Sequence, residues 1–345
     1  MKASTKEKII IPLSKCLPGM MLLQPIVDKE TGTVLLPKDK PLTVEYIKKA
    51  NNFDHTEVWV DINAKDSHWQ TNQETLLVYR KYATMLKEIV GDDYRIGVIN
   101  LTALKELATS IVEGFHSDFD LLSCVNLVKE LDEDCFTHSI NVAFLGLLVG
   151  RWNGYNHTKL EQIVEAALLH DVGKLDLPGY KQSESVRARI KEELAYRRHP
   201  IYGYERLVKY NELDNEVLKA VLTHHERCDG SGFPLSLRAD RISDIASIIG
   251  LADEYDTYRK ENSIFKVIKY LRTTCVRGFP SELLVQFCRR IMSYYIGSTV
   301  LLSTGDVGEI CSISHQIACR PLIKLKDTYL DLHLHQEIDI VKIIS

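Results

Sequence analysis

No stretch of this chain is apolar for long enough to span a bilayer; the run from Ile140 to Gly150 falls far short of the roughly 20 residues that requires. A targeting segment is missing too, because Ile9-Ile10-Ile11 is interrupted at Pro12. These absences predict a cytoplasmic protein with no membrane span. No charge of one sign dominates: 43 basic against 47 acidic residues leave a formal net charge of −4, which excludes a general affinity for nucleic-acid polymers or membrane surfaces. Eight cysteines include no Cys-x-x-Cys pair and read as reduced thiols of an intracellular chain. At 345 residues the chain has room for two or three domains.

What the chain does contain is an ordered series of imidazoles and carboxylates: His138, His170-Asp171, His199, His224-His225 and Asp253. This mixture ligates borderline or hard divalent metals, and seven such groups are more than one ion usually needs. The gaps between them, about 25 to 32 residues, each allow a helix, a turn and a return. The flanking sequence agrees. An almost wholly apolar segment follows His138, and Ile163 to Leu169 leads into His170-Asp171 with Gly173 placed to end that helix as a left-handed cap. Val217 to Leu222 leads into His224-His225, and Ile245 to Ala252 leads into Asp253. Four apolar helices would thus deliver the ligands to one end of a bundle.

A single histidine in an apolar segment is more often a hydrogen-bonded core residue than a ligand. Seven in series argue otherwise. Pairs such as His170-Asp171 and His224-His225 would bury costly polar groups without partners, and a metal is a partner. Cys228 reads as a small loop residue, since nothing near it in sequence indicates a depressed thiol pKa.

The runs His170-Asp171-Val172-Gly173-Lys174, Arg198-His199-Pro200-Ile201-Tyr202-Gly203-Tyr204-Glu205 and His224-His225-Glu226-Arg227-Cys228-Asp229-Gly230-Ser231-Gly232-Phe233-Pro234 resemble the HD-GYP subgroup of HD-domain phosphohydrolases. The resemblance spans about Leu121 to Arg290. It implies a mainly α fold, an HD-domain helical bundle, with two or three divalent transition-metal ions, iron or manganese. It implies His138, His170, Asp171 and Asp253 as the ligands common to HD enzymes, with Asp171 bridging, and His199, His224 and His225 as ligands of a second metal. Lys174 resembles the lysine that faces the scissile phosphate. Asp134, one helical turn before His138, stands where members with a third metal carry glutamate, and it reads either as that ligand or as part of a solvated helix start. The implied activity is hydrolysis of cyclic di-GMP to linear pGpG, and on to GMP. The alternatives are a module that binds nucleotide or metal and signals through partners without turnover, or an enzyme for another cyclic dinucleotide. A homodimer and a diguanylate-cyclase or other signalling partner are the implied protein contacts.

The chain departs from the subgroup in three places. Phe233 stands for the tyrosine of Gly-Tyr-Pro, Ser247 stands where relatives usually have arginine, and the residues after Asp253, Glu254 to Lys260, lack most of a longer segment whose basic residues hold the dinucleotide. Arg259 and Lys260 are the candidate replacements.

Outside the core, Ile9-Ile10-Ile11, Val34-Leu35-Leu36 and Val58-Trp59-Val60 read as short strands, and Thr43 to Ala50 as one helix capped by Thr43. Leu17-Pro18-Gly19-Met20 resembles part of a small β-rich module that precedes many HD-GYP domains. Apolar residues from Leu76 to Ile89 and from Leu101 to Ile111 follow helical spacing. Short strands resume after Gly297, where His333 and His335 alternate with leucines as a surface pair on one strand face. The expected organisation is a small β-rich N-terminal module over 1–65, a helical connector over 66–120, the catalytic domain over 121–296, and a small β C-terminal unit over 297–345.

Overall fold

Helices in this chain start where a short polar side chain can accept the first free N–H groups. Asn156 accepts from Lys159 N at 2.9 Å, Asp214 from Glu216 N at 2.7 Å and Ser243 from Ala246 N at 3.2 Å. In the computed structural model, which describes residues 8–12, 21–24, 26–27, 34–36, 57–61, 72–90, 98–115, 118–127, 135–177, 196–313, 319–326 and 328–344, those caps open three of the helices around the histidine series.

Two compact units divide the chain, Met1–Thr75 with Ser117–Asp120, and Leu76–His116 with Leu121–Ser345. In the first, β1 (Lys8–Pro12), β2 (Met21–Leu22) and β5 (Glu57–Asp61) form an antiparallel sheet in the order β1-β5-β2, and β3 (Ile26–Val27) pairs with β4 (Val34–Leu36). The three expected strands are present. The expected helix at 43–50, the motif at 17–20 and Asp134 lie outside the described residues.

The second unit is mainly helical. The described helices, in chain order, are α1 (Asn72–Val90), α2 (Leu101–Gly114), α3 (Asp118–Leu127), α4 (Cys135–Trp152), α5 (His157–Leu169), α6 (His199–Leu207), α7 (Asn215–Thr223), α8 (Asp244–Arg259), α9 (Ile264–Thr273) and α10 (Ser281–Ser293). The segment of α4 from Ile140 to Val149 is buried on every face, the condition that its unbroken apolar sequence requires. Helices α5 and α8 pack on it. No helix among the described residues is long and apolar enough to cross a membrane. A five-stranded antiparallel sheet follows, β6 (Thr299–Leu302), β7 (Val307–Ser312), β8 (Leu322–Lys324), β9 (Tyr329–Asp331) and β10 (Ile340–Ile343), in the order β10-β6-β7-β8-β9. His333 and His335 are exposed as expected, but His333 sits in a turn after β9 and His335 just beyond it, so neither is on a strand face.

Gly173 has a different role from the expected one. It lies within a 3-10 turn, Val172–Asp176, and is absent from the glycines with positive φ. A Cβ there would come within 2.0 Å of the His199 carbonyl and 2.3 Å of Gly203 N. The glycine therefore lets α6 approach the His170-Asp171 corner, and this contact brings His199 to Asp171. Gly173→Ala should cost about 2–3 kcal/mol by overpacking against backbone. Urea unfolding of the metal-free protein checks this, and an unchanged midpoint would refute the close-approach account.

Candidate metal centre

Three histidines are fixed by one repeated local device. His170 Nδ1 lies 2.7 Å from Ala167 O, His199 Nδ1 2.7 Å from Tyr196 O, and His224 Nδ1 2.8 Å from Val221 O. Each ring donates Nδ1–H to the carbonyl three residues earlier, so each Nε2 must carry a lone pair. The residues are wholly buried, and these Nε2 atoms point at one another and at Asp171.

Asp171 stands between two groups of donors. His138 and His170 flank it on one side, and His199, His224 and His225 on the other; within each group the ligand atoms all lie within 4.8 Å of one another. Asp171 Oδ2 is 3.3 Å from His170 Nε2, and Oδ1 is 3.3 Å from His199 Nε2. Asp253, on α8, lies 3.0 Å from His138 Nε2 and 3.7 Å from His225 Nδ1. All seven members of the sequence series thus meet in one place.

These residues fit divalent cations on physical grounds. His170 Nε2, Asp171 Oδ1 and His225 Nε2 are buried without a hydrogen-bond partner. His199 Nε2 and His224 Nε2 face each other at 3.3 Å, two acceptors with no proton between them. Buried polar atoms in such an arrangement are costly unless a cation lies between them. His138, His170, Asp171 and Asp253 would hold one ion, and Asp171 with His199, His224 and His225 another.

Electrostatics point the same way. Burial, reinforced by Lys174 and neighbouring histidines, holds His199 and His225 well below the usual imidazole range, and His224 is lowered from 6.5 to about 3 by burial and His170. Burial would raise Asp171 and Asp253, but the histidines around both, and Lys174 beside Asp171, outweigh it and hold them well below the carboxylate range. Neutral imidazoles and ionised carboxylates are the states that ligation needs. His138 is the exception in the metal-free protein. Burial would lower it, but hydrogen bonds to Asp253 and Asp256 raise it to about 9.

The sign of the pH dependence follows. His224 resists protonation when folded, so the stability it lends is present above 6.5 and is lost as pH falls from 6.5 toward 3. His138 binds a proton more tightly when folded, so its share is present below 6.5 and is lost as pH rises toward 9. Chelator-treated protein should therefore be most stable near pH 6.5, with metal uptake weakening in acid. A melting temperature flat from pH 4.5 to 8.5 would contradict it.

Several residues that sequence reasoning passed over complete the site. Asp256, fully buried one turn after Asp253, receives His138 Nδ1 at 2.7 Å and is itself held by Arg259 Nε at 2.8 Å. Its i+3 spacing from Asp253 was the available signal. Glu226 accepts from Leu235 N at 2.6 Å and Leu237 N at 2.8 Å, closing the loop that carries Phe233. Arg227 donates to the carbonyls of His224 and Glu226 and to the Glu254 carboxylate at 2.7 Å, tying the His224-His225 corner to α8. Tyr196 lies with its ring 4.9 Å from His199 and with Lys174 Nζ 5.1 Å from its centroid.

Among the residues expected to contact substrate, Lys174 is buried with Nζ 2.5 Å from Asp171 Oδ2. Lys260 is half-buried. Arg259 departs from expectation: it is 5 % exposed and both Nε and Nη2 engage Asp256 at 2.8 Å, so its fork braces the carboxylate behind His138. The shortened segment after Asp253 keeps Arg259 inside α8, one turn from Asp256.

Residues 135–258, which hold all seven histidines and aspartates of the centre, match the family model described as "HD domain". Over this segment the chain is similar to HD-domain proteins. The chain is 30% identical over 194 residues to the cyclic di-GMP phosphodiesterase PdeB of Borreliella burgdorferi, covering 54% of this chain and 50% of that protein. It is 28% identical over 212 residues to a cyclic di-GMP phosphodiesterase of Pseudomonas aeruginosa, covering 59% and 50%. The chain thus spans about half the length of these curated relatives. Among solved structures, an HDG"Y"P protein from Bdellovibrio bacteriovorus shares the fold, with a TM-score of 0.52 and 16% identity over 81% of this chain and 98% of that one.

Proposed function

We propose that this chain is an HD-GYP protein, a metal-dependent phosphodiesterase that opens a cyclic dinucleotide, cyclic di-GMP foremost, to linear pGpG and on to GMP. The observation that carries the reading is the pair of ligand groups sharing Asp171 beside the buried ammonium of Lys174. Divalent ions, iron or manganese, would supply Lewis acidity toward phosphate oxygens and lower the pKa of a coordinated water toward neutrality. The chain's own residues do the rest. Lys174 stays charged, since Asp171 outweighs the effect of burial and raises its pKa, and it is placed to offset negative charge developing on the phosphate. Phe233, stacked on His225 at 4.5 Å, covers one side of the donor cluster. Lys260 is a further proposed substrate contact.

Names of the relatives support cyclic di-GMP as the first substrate. A second reading, another cyclic dinucleotide, has its own support: the chain is also 29% identical over 139 residues to a 3'3'-cGAMP-specific phosphodiesterase of Vibrio cholerae, 40% of this chain and 27% of that protein. Incubating metal-loaded protein anaerobically with a panel of cyclic dinucleotides and resolving the products decides between them. Tight binding with no hydrolysis over hours across the panel would make this a receptor built on an enzyme fold.

The same proposal includes the domain limits 1–65, 66–120, 121–296 and 297–345, a cytoplasmic location, a homodimer, and a diguanylate cyclase or other signalling protein as partner. It includes Asp134 as a ligand of a third ion. Asp134→Asn should then lower bound metal by about one ion while the helical signal is retained, since the change barely alters volume; an unchanged metal content would leave two ions.

A further inference from the structure

One polar group at the centre has no use assigned above, the hydroxyl of Tyr196. Tyr196 stands three residues before His199, and its backbone carbonyl already orients that ring through Nδ1 at 2.7 Å. Its side chain borders the centre as well. The ring centroid lies 4.9 Å from that of His199 and 6.2 Å from that of His225. Phe233, a second ring against this pair of histidines, has no hydroxyl to offer.

Lys174 Nζ lies 5.1 Å from the Tyr196 ring centroid, and the ammonium acts on the hydroxyl both as a charge and as a hydrogen-bond donor. An ammonium has three N–H groups and no lone pair, so the phenol oxygen is the acceptor in that contact and its own proton must point elsewhere. No acceptor for that proton is present among the described residues. Burial raises the phenol pKa, against the opposing charge of Lys174, so the proton is held at any working pH. The residue keeps some exposure, so an anion arriving at the donor nitrogens beside Lys174 can reach it. A neutral donor suits this place, since it adds no positive charge to a site that already holds Lys174 and gathers cations.

We propose that the Tyr196 hydroxyl donates a hydrogen bond to a non-bridging oxygen of the scissile phosphodiester, with Lys174 fixing the direction of that donor. This rests on the phosphodiesterase reading above. Tyr196 is then a catalytic residue that keeps its proton throughout. Negative charge on the non-bridging oxygens is redistributed as phosphorus is attacked, and a donor already in position stabilises it without reorganisation. The backbone carbonyl of Tyr196 and its hydroxyl thus serve the centre separately, and a substitution that removes the hydroxyl alone tells them apart.

Tyr196→Phe in the manganese-loaded full chain is that substitution, since it keeps the ring and the carbonyl. Its kcat on cyclic di-GMP should fall about tenfold with KM little changed, the size of one neutral hydrogen bond made mainly in the transition state. The same fall is expected on bis(p-nitrophenyl) phosphate, because the contact is to the reacting phosphodiester and not to the rest of the substrate. Calorimetry should show orthovanadate, an oxyanion that adopts five-coordinate geometry, binding about tenfold more weakly. Metal content by elemental analysis and melting temperature should match the wild type. Unchanged kcat, unchanged vanadate binding, or a loss of bound metal in step with kcat each overturn the proposal, the last because the side chain would then be supporting the centre. Wild-type protein that cleaves bis(p-nitrophenyl) phosphate and no cyclic dinucleotide overturns the substrate reading instead, and Tyr196 is then decided on the first compound. Wild-type protein that cleaves neither overturns the phosphodiesterase reading, and with it this role for Tyr196.

Discussion

Asp171→Ala is expected to take the chain from at least two bound metal ions to fewer than one, and to lower phosphodiesterase turnover by about a thousandfold or more, since the ions carry the main electrostatic contribution. The size follows from position. Asp171 is the one residue common to both donor groups, with Oδ2 toward His170 and Oδ1 toward His199. Its removal also deprives Lys174 of the carboxylate 2.5 Å away. His225→Ala should behave differently, because His225 belongs to one group only; it should lose about one ion and leave the other. Elemental analysis of folded protein separates the two variants. A full metal complement in Asp171→Ala would remove the bridging assignment and with it the shared-site account.

Much of this centre was legible because ligand chemistry is written in residue types. Seven histidines and aspartates at returns of a helical length, each beside an apolar run, leave few arrangements other than convergence at one end of a bundle. Strands were legible where β-branched and aromatic residues clustered, as at Val58-Trp59-Val60 and Val300-Leu301-Leu302. What escaped depended on distance in space. Gly173 looked like a helix cap because glycine after an apolar helix commonly is one, whereas its reason is the backbone of α6 at van der Waals limits. Arg259 looked available because a basic residue near a shortened loop suggests a clamp. The helix continues to Arg259, however, and i+3 spacing turns it onto Asp256. Tyr196 carried no motif at all, and its interest comes from the groups it touches, the His199 ring and Lys174.

Asp256 performs two tasks that one substitution would confound. Its carboxylate receives His138 Nδ1, which fixes the tautomer that leaves Nε2 toward Asp253 and the centre, and it also faces the Arg259 guanidinium inside the bundle. Hydrogen bonds and charge from Arg259 and His138 overcome burial and hold its pKa below the usual carboxylate range, so it is ionised wherever the protein is folded. Asp256→Ala should therefore destabilise the chain by about 3 kcal/mol, the cost of taking the partner from a buried charge. It should also weaken metal binding by about 10- to 100-fold, the usual effect of losing the group behind a ligating histidine. The double variant Asp256→Ala/Arg259→Met removes the stranded charge and separates the tasks. It should regain most of the lost stability, read from urea unfolding of the metal-free protein, while its metal affinity stays low. Asp256→Asn, which can still accept from Nδ1, should lie between. If the double variant recovered metal affinity along with stability, His138 would need no carboxylate behind it, and the weakening in the single variant would be a consequence of unfolding alone.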